Sequence, residues 1–397
     1  MKKLYLVKFV LLIFLIHSCK LNTENKTTSD EPETETIDSV GIASESDDEI
    51  ITIEEEHFKE MPSYFQYMGR TAPDKDGRLL IGSASSVRFR AKGDTLKLRL
   101  NTVLEEHAYI AVTLDDTFSY KYQLKKKGDS DIAVPLGNVD DFHEITVYKL
   151  TEAVTGGVIF EDAQAEELVA SEFNPNLKIE FIGNSITCGM GADAREIPCG
   201  QGEWYDQHNA YLSYASRVGR KLKADYRISA VSGRGIYRNW NDETEPVVPE
   251  LYGSLNLDGD MDHPLDYNNF QPDLISICLG TNDMSEGDGT KERAPFDPEE
   301  FTQKYIEFVT FLLSKYPEAR IALLASPMVK GEGAVLLSEC LGKVKREFED
   351  DHYIEIFEFS DIEPHGCGYH PDLNDQDEMA DELMPFYIGL LDKGLAM

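Results

Sequence analysis

Apolar and polar residues follow two different spacings along this chain, and the change between them divides it. Between about Phe58 and Glu172 the period is two. Val87-Arg88-Phe89-Arg90 alternates, and Thr95-Leu96-Lys97-Leu98-Arg99-Leu100 sets leucines on one face and charges on the other. Ile110–Leu114 and Ile145–Tyr148 follow, with turns at Lys92-Gly93-Asp94 and Leu136-Gly137-Asn138 between such runs. Short alternating runs with turn residues between them predict an all-β sandwich or jelly roll.

From Leu177 onward strands and helices alternate. Strands are predicted over Leu177–Ile182, Tyr226–Val231, Leu274–Leu279, Arg320–Ala325 and Tyr353–Phe359. Helices are predicted over Tyr211–Leu222, Val335–Phe348 and Gln376–Leu391, and Phe301, Tyr305, Phe308 and Leu312 form the core stripe of another. The order predicts a doubly wound, mostly parallel sheet in a three-layer α/β/α, flavodoxin-like arrangement. The expected division is a leader at 1–18, a tether at 19–56, a β domain at 57–173 and an α/β domain at 174–397.

The first residues stand apart from both patterns. Lys2 and Lys3 precede the short apolar run Val10–Ile16, which is too brief to span a bilayer. Ile16-His17-Ser18-Cys19 resembles a bacterial lipobox, which implies cleavage before Cys19 and a lipid on its sulfur. Lys20 after the lipid cysteine fits an outer-membrane address in the cell envelope. Residues 20–56 hold thirteen acids against two lysines and too few apolar residues to offset the entropy of ordering, so they read as an extended spacer. Over the whole 397 residues the net charge is −35, which argues against nucleic acid and anionic membrane surfaces as partners.

Candidate chemistry gathers at the carboxyl ends of predicted strands, the edge where open α/β sheets bind ligands. Gly183-Asn184-Ser185 follows the first strand, Ser232-Gly233-Arg234-Gly235 the second and Gly280-Thr281-Asn282-Asp283 the third; Tyr369-His370-Pro371 comes late. A serine opening a helix reads either as an N-cap or as a nucleophile beside backbone N–H groups. Asn282 reads as an Asx-turn residue or a donor, and His370 as a surface residue or a base.

These four blocks, in this order, resemble the SGNH (GDSL-like) hydrolases. A β domain ahead of such a domain resembles carbohydrate esterase family 2, which removes acetyl groups from plant polysaccharides and sugars. The resemblance implies an O-acetyl esterase acting on acetylated carbohydrate, with Ser185 as nucleophile and His370 as base. It implies an oxyanion hole from the N–H groups of Ser185 and Gly233 and the amide of Asn282, with Gly235 as the alternative to Gly233. Tyr369 and Trp240 are expected at the substrate, on the reasoning that sugars stack on flat aromatic faces. No cofactor is expected. Two other readings stand beside this one: a lipid or thioester esterase on the same fold, and a sugar-binding lipoprotein whose catalytic site has decayed.

Two departures from the family pattern affect the site. Asn184 stands where an Asp is usual. Cys367 and Gly368 stand where an Asp often precedes the histidine, so the expectation is a Ser–His dyad with a main-chain carbonyl on the far imidazole nitrogen. That carbonyl is expected from the Gly366–Gly368 turn or from the loops around 189–211. A carboxylate such as Asp372 or Asp193 is the alternative. His365, Cys367 and His370 form a His/Cys cluster without a second one to complete a zinc site, so no metal is expected. With Cys19 lipidated, five cysteines remain; Cys188 and Cys199 are the candidate pair, and Cys278 reads as buried packing.

Overall fold

Strand alternation in the N-terminal half builds two antiparallel sheets packed face to face. The computed structural model describes residues 57–103, 107–137, 139–241 and 246–392. The expected leader, Cys19 and the acidic spacer lie outside the described residues. One sheet runs Gln66–Met68, Ser86–Lys92, His143–Lys149, Tyr109–Leu114, Thr117–Gln123, with Glu167–Val169 also paired to Ser86–Lys92. The other runs Thr71–Pro73, Arg78–Leu80, Val158–Gln164, Thr95–Thr102, Gly128–Pro135. Leu96, Leu98 and Leu100 point inward against Val87, Phe89 and Phe160, while Lys97 and Arg99 face water.

The first sheet has no solvent face over much of its length. Tyr109, Ala111, Tyr148 and Leu150 leave the sandwich core and join a second one with Phe181, Tyr214 and Val218 of the α/β domain. A strand buried on both faces has no reason to alternate, and Tyr109–Leu114 is apolar almost throughout.

The α/β domain has a parallel sheet ordered Asp225–Ala230, Lys178–Gly183, Leu274–Ile277, Arg320–Ala325, Ile354–Glu358. Helices Tyr214–Lys221 and Leu373–Asp392 share a core with Leu274 and Cys278 on one face; Pro298–Lys315 and Gly331–Phe348 share another with Ile275 and Ile277. The stripe Phe301, Tyr305, Phe308, Leu312 is buried in the second. Tyr211 belongs to a single 3-10 turn, because Ser213 caps the next helix by accepting the Ser216 N–H and so starts it at Tyr214.

A buried arginine fastens the two domains. Arg70 of the sandwich donates to the Ser229 hydroxyl (3.0 Å) and to the carbonyls of Ser254 (2.6 Å) and Tyr252 (3.1 Å). Ser229 in turn donates to Glu180 (2.6 Å), which takes two bonds from Arg227 (2.9 and 2.6 Å). Burial and the neighbouring Arg227 charge lower the Arg70 guanidinium to about 10, so it stays protonated at neutral pH. This network includes Glu180 of the strand Lys178–Gly183, whose carboxyl end carries Ser185. Among the described residues no helix is long and apolar enough to cross a membrane.

Candidate active site

Ser185 opens a single helical turn directly after the strand Lys178–Gly183. Asn184 caps that turn through its side-chain oxygen, which accepts the Ile186 N–H at 3.2 Å. The usual Asp at 184 would fill the same acceptor role, so the amide keeps the cap. Ser185 is 6% exposed, and its Oγ lies 2.7 Å from His370 Nε2.

The far imidazole nitrogen, Nδ1, lies 2.8 Å from the carbonyl oxygen of Gly368. A carbonyl only accepts, so Nδ1 carries the proton and Nε2 is bare toward the serine hydroxyl. Among the described residues no carboxylate takes that place. Asp372 caps the helix Leu373–Asp392 by accepting the N–H groups of Asn374 (2.7 Å) and Asp375 (3.0 Å). Asp193 pairs with Arg195 (2.7 Å) and Asn209 (2.8 Å). Burial holds the His370 imidazole below the ordinary 6.5, although the Gly368 carbonyl works in the opposite direction.

The turn that presents this carbonyl is closely held. Gly368 has φ +63°, a left-handed conformation that suits glycine, and Tyr369 follows it into the same region. Gly366 N–H donates to the His370 carbonyl (2.7 Å), and Cys367 N–H to Gly191 (2.9 Å). Asp375 receives the backbone N–H groups of His365 and Asp372, each at 2.8 Å, and the His365 ring at 2.9 Å. Cys367 is disulfide-bonded to Cys199, 168 residues earlier in the chain. This corrects the expected Cys188–Cys199 pair: Cys188 is a free, fully buried thiol packed in the core, with its sulfur 3.8 Å from the Glu152 carboxylate. Cys278 is likewise buried and free.

A cleft of about 580 Å³ opens over Ser185 and His370. Gly233, Asn282, Tyr369 and Trp240 all line it, as does Trp204. Gly233 has φ +77°, and a β-carbon there would come within 3.0 Å of the Trp240 ring. Trp240 N–H also donates to the Gly233 carbonyl at 3.0 Å, so this tryptophan both walls the cleft and braces the turn. Gly235 N–H is engaged with Asn239 Oδ1 (3.2 Å), which leaves Gly233 as the glycine facing the cleft. Asn282 commits one amide N–H to the Arg234 carbonyl (2.7 Å); its amide has a second N–H.

Two carboxylates around the cleft escaped the sequence reading. Asp283 is buried and receives the N–H groups of Ile236 (2.8 Å), Tyr237 (3.0 Å) and Arg238 (3.3 Å) on one oxygen. Burial pushes it up to about 6. Its place in the Gly280–Asp283 block was the one available signal. Glu152 comes from the β domain and reaches Ser232 and His208; no motif marks it.

Residues 181–377 match the GDSL-like lipase/acylhydrolase family, and residues 67–171 match the carbohydrate esterase 2 N-terminal domain. The chain carries a GDSL-like acylhydrolase domain behind a carbohydrate esterase 2 N-terminal domain. Two relatives of the acylhydrolase come from Cellvibrio japonicus (strain Ueda107), both named acetylxylan esterase / glucomannan deacetylase. One is 29% identical over 253 residues, covering 61% of this chain and 68% of that protein. The other is 24% identical over 338 residues, covering 81% and 87%. A family two carbohydrate esterase from Clostridium thermocellum, solved in complex with cellohexaose, superposes with a TM-score of 0.73 at 24% identity, over 82% of this chain and 99% of that one. That likeness is one of fold.

The disulfide ties the turn of His370 to the loop that carries Trp204 in this acylhydrolase domain. Cys199→Ser is expected to lower unfolding stability by roughly 2–5 kcal/mol and to reduce esterase activity. Urea denaturation with and without a thiol reductant checks this. Equal midpoints for oxidised, reduced and substituted protein would remove the bond from any account of how the turn is held.

Proposed function

We propose that this protein is an O-acetyl esterase that removes acetyl groups from polysaccharide or sugar, by way of a Ser185–His370 dyad. The observation that carries the reading is the relay from Ser185 Oγ to His370 Nε2 and from His370 Nδ1 to Gly368 O, opening into a cleft with aromatic walls. The relatives named acetylxylan esterase / glucomannan deacetylase support the substrate class. A decayed sugar-binding site would have no reason to keep a 2.7 Å contact between serine and histidine.

In this reading Ser185 attacks the acetyl carbonyl as His370 Nε2 takes its proton. Negative charge develops on the carbonyl oxygen, against the N–H groups of Ser185 and Gly233 and the second amide N–H of Asn282. The tetrahedral intermediate collapses, and the departing sugar oxygen takes the proton from His370. Water then attacks the acetyl-serine with His370 again as base, releasing acetate and restoring the hydroxyl. Tyr369, 85% exposed, and Trp240 offer flat faces to the sugar beside the reacting ester. The Ile16–Cys19 sequence supports a lipid at Cys19, with residues 20–56 holding the enzyme off an envelope membrane.

Full-length protein is expected to hydrolyse nitrophenyl acetate, and Ser185→Ala to lose several orders of magnitude in kcat. Equal rates would end the nucleophile assignment. Over a series of acyl chains acetate should be preferred; a preference for eight carbons or more would favour a lipid esterase. His370 acts as base only when unprotonated, and burial lowers its pKa, so kcat/KM should hold at neutral pH and fall as pH drops through a midpoint below 6.5. A midpoint above 6.5 would contradict this. Cys19→Ala should move the protein from the membrane to the soluble fraction of cells; retention in the membrane would reject the anchor.

A further inference from the structure

The sandwich sends one carboxylate into the catalytic domain. Glu152 follows the strand His143–Lys149 and is fully buried. One of its oxygens accepts from His208 Nε2 (3.1 Å) and from the Ser232 hydroxyl; the other accepts the Ser232 backbone N–H (2.8 Å). The Cys188 thiol, three residues past the nucleophile, lies 3.8 Å from that second oxygen. His208 stacks edge-on against Trp204 in the cleft wall, with ring centroids 5.0 Å apart.

The carboxylate is itself anchored. The ammonium of Lys149, also buried, donates to the carbonyls of Thr151 and Glu152, each at 2.8 Å. The Thr155 hydroxyl donates to the Glu152 carbonyl at 2.8 Å. Burial alone would raise the Glu152 pKa, but the bonds from His208 and Ser232 outweigh it and keep the group ionised.

Ser232 immediately precedes Gly233. Both its donors are held by one buried carboxylate, which fixes the residue from which the 232–233 peptide plane and its Gly233 N–H extend, and the Arg234 N–H closes the turn onto the Val231 carbonyl at 3.4 Å. Trp240 holds the next carbonyl and Asn282 the one after it. We propose that Glu152 is a positioning residue of the esterase: from the β domain, it aims the Gly233 N–H at the developing oxyanion. The proposal rests on the esterase reading above. It makes the sandwich part of the catalytic apparatus, since the acylhydrolase domain alone lacks this group.

The test is steady-state kinetics on nitrophenyl acetate for full-length wild type, Glu152→Gln and Ser232→Ala, beside thermal melts and hydrogen exchange of the peptide spanning 230–236. Gln fills the same volume, but its NH2 group faces a donor on one side or the other. The expected result for Glu152→Gln is a kcat at least tenfold lower, a KM within about twofold of wild type and faster exchange at 230–236, because a misaimed oxyanion donor costs rate rather than binding. Ser232→Ala should lose severalfold in kcat while folding normally, and it carries the test if Glu152→Gln does not fold. Unchanged kcat in folded variants overturns the proposal, as does a uniform loss that only follows the melting temperature. If wild type proves inactive, the esterase reading falls, and exchange then decides the geometry: faster exchange at 230–236 in Glu152→Gln keeps Glu152 as the clamp of this turn, and unchanged exchange rejects it.

Discussion

The hydrogen bond from His370 Nδ1 to the Gly368 carbonyl is the constraint on which this site depends. It decides which imidazole nitrogen is bare, and only the bare one can take a proton from Ser185. A carbonyl two residues away in sequence can reach Nδ1 only if the chain between them folds back tightly. Gly368 and Tyr369, both at φ +63°, provide that reversal. The nearby interactions keep it from relaxing: Asp375 on the preceding backbone, Gly191 against the Cys367 N–H, and the disulfide to Cys199. A left-handed tyrosine costs on the order of 1–2 kcal/mol, which a disulfide and several hydrogen bonds readily offset.

The second constraint comes from the other domain. Arg70 reaches Ser229 on the strand Asp225–Ala230, and Glu152 reaches Ser232 just past its carboxyl end. His107 and Tyr109 of the sandwich bind Asp206 at 2.5 and 3.0 Å, holding the loop that carries Trp204. Three buried polar contacts at one interface are expensive to desolvate and strongly destabilising to break. Their geometry fixes the orientation of the two domains more closely than the shared apolar core could, since apolar contact has no direction.

Much of this architecture was readable in the sequence. The change in apolar period located both folds, and the first three polar blocks each fell directly after a strand that exists. The missing Asp before His370 pointed to a main-chain acceptor because Gly368 and Cys367 have no carboxylate to offer. What stayed hidden has physical causes. Gly128–Pro135 opens with polar residues, so its alternation of Ser130, Ile132 and Val134 inward emerges late in the run. Glu152 lies between a strand and a 3-10 turn, in a setting that reads as solvent-facing until the second domain covers it. The disulfide joins residues 168 apart, and proximity in sequence favoured Cys188 over Cys367.

A carbonyl in place of a carboxylate changes the energetics less than it first suggests. In serine protease triads, replacing the Asp by Asn costs about 10⁴ in kcat because the amide selects the wrong tautomer. An amide side chain can present either an oxygen or an NH2 group, whereas a main-chain carbonyl can only accept. Gly368 therefore keeps the tautomer and gives up the charge alone. At about 6 Å, a unit charge acting on an imidazolium through a partly polar medium is worth roughly 3 kcal/mol. Two neighbouring side chains act on the same imidazole. His208 disfavours protonated His370, and the Glu152 charge beside it acts in the opposite sense to a smaller degree. The same side chain that clamps the Ser232 turn thus also offsets, at His370, part of the opposing influence of His208.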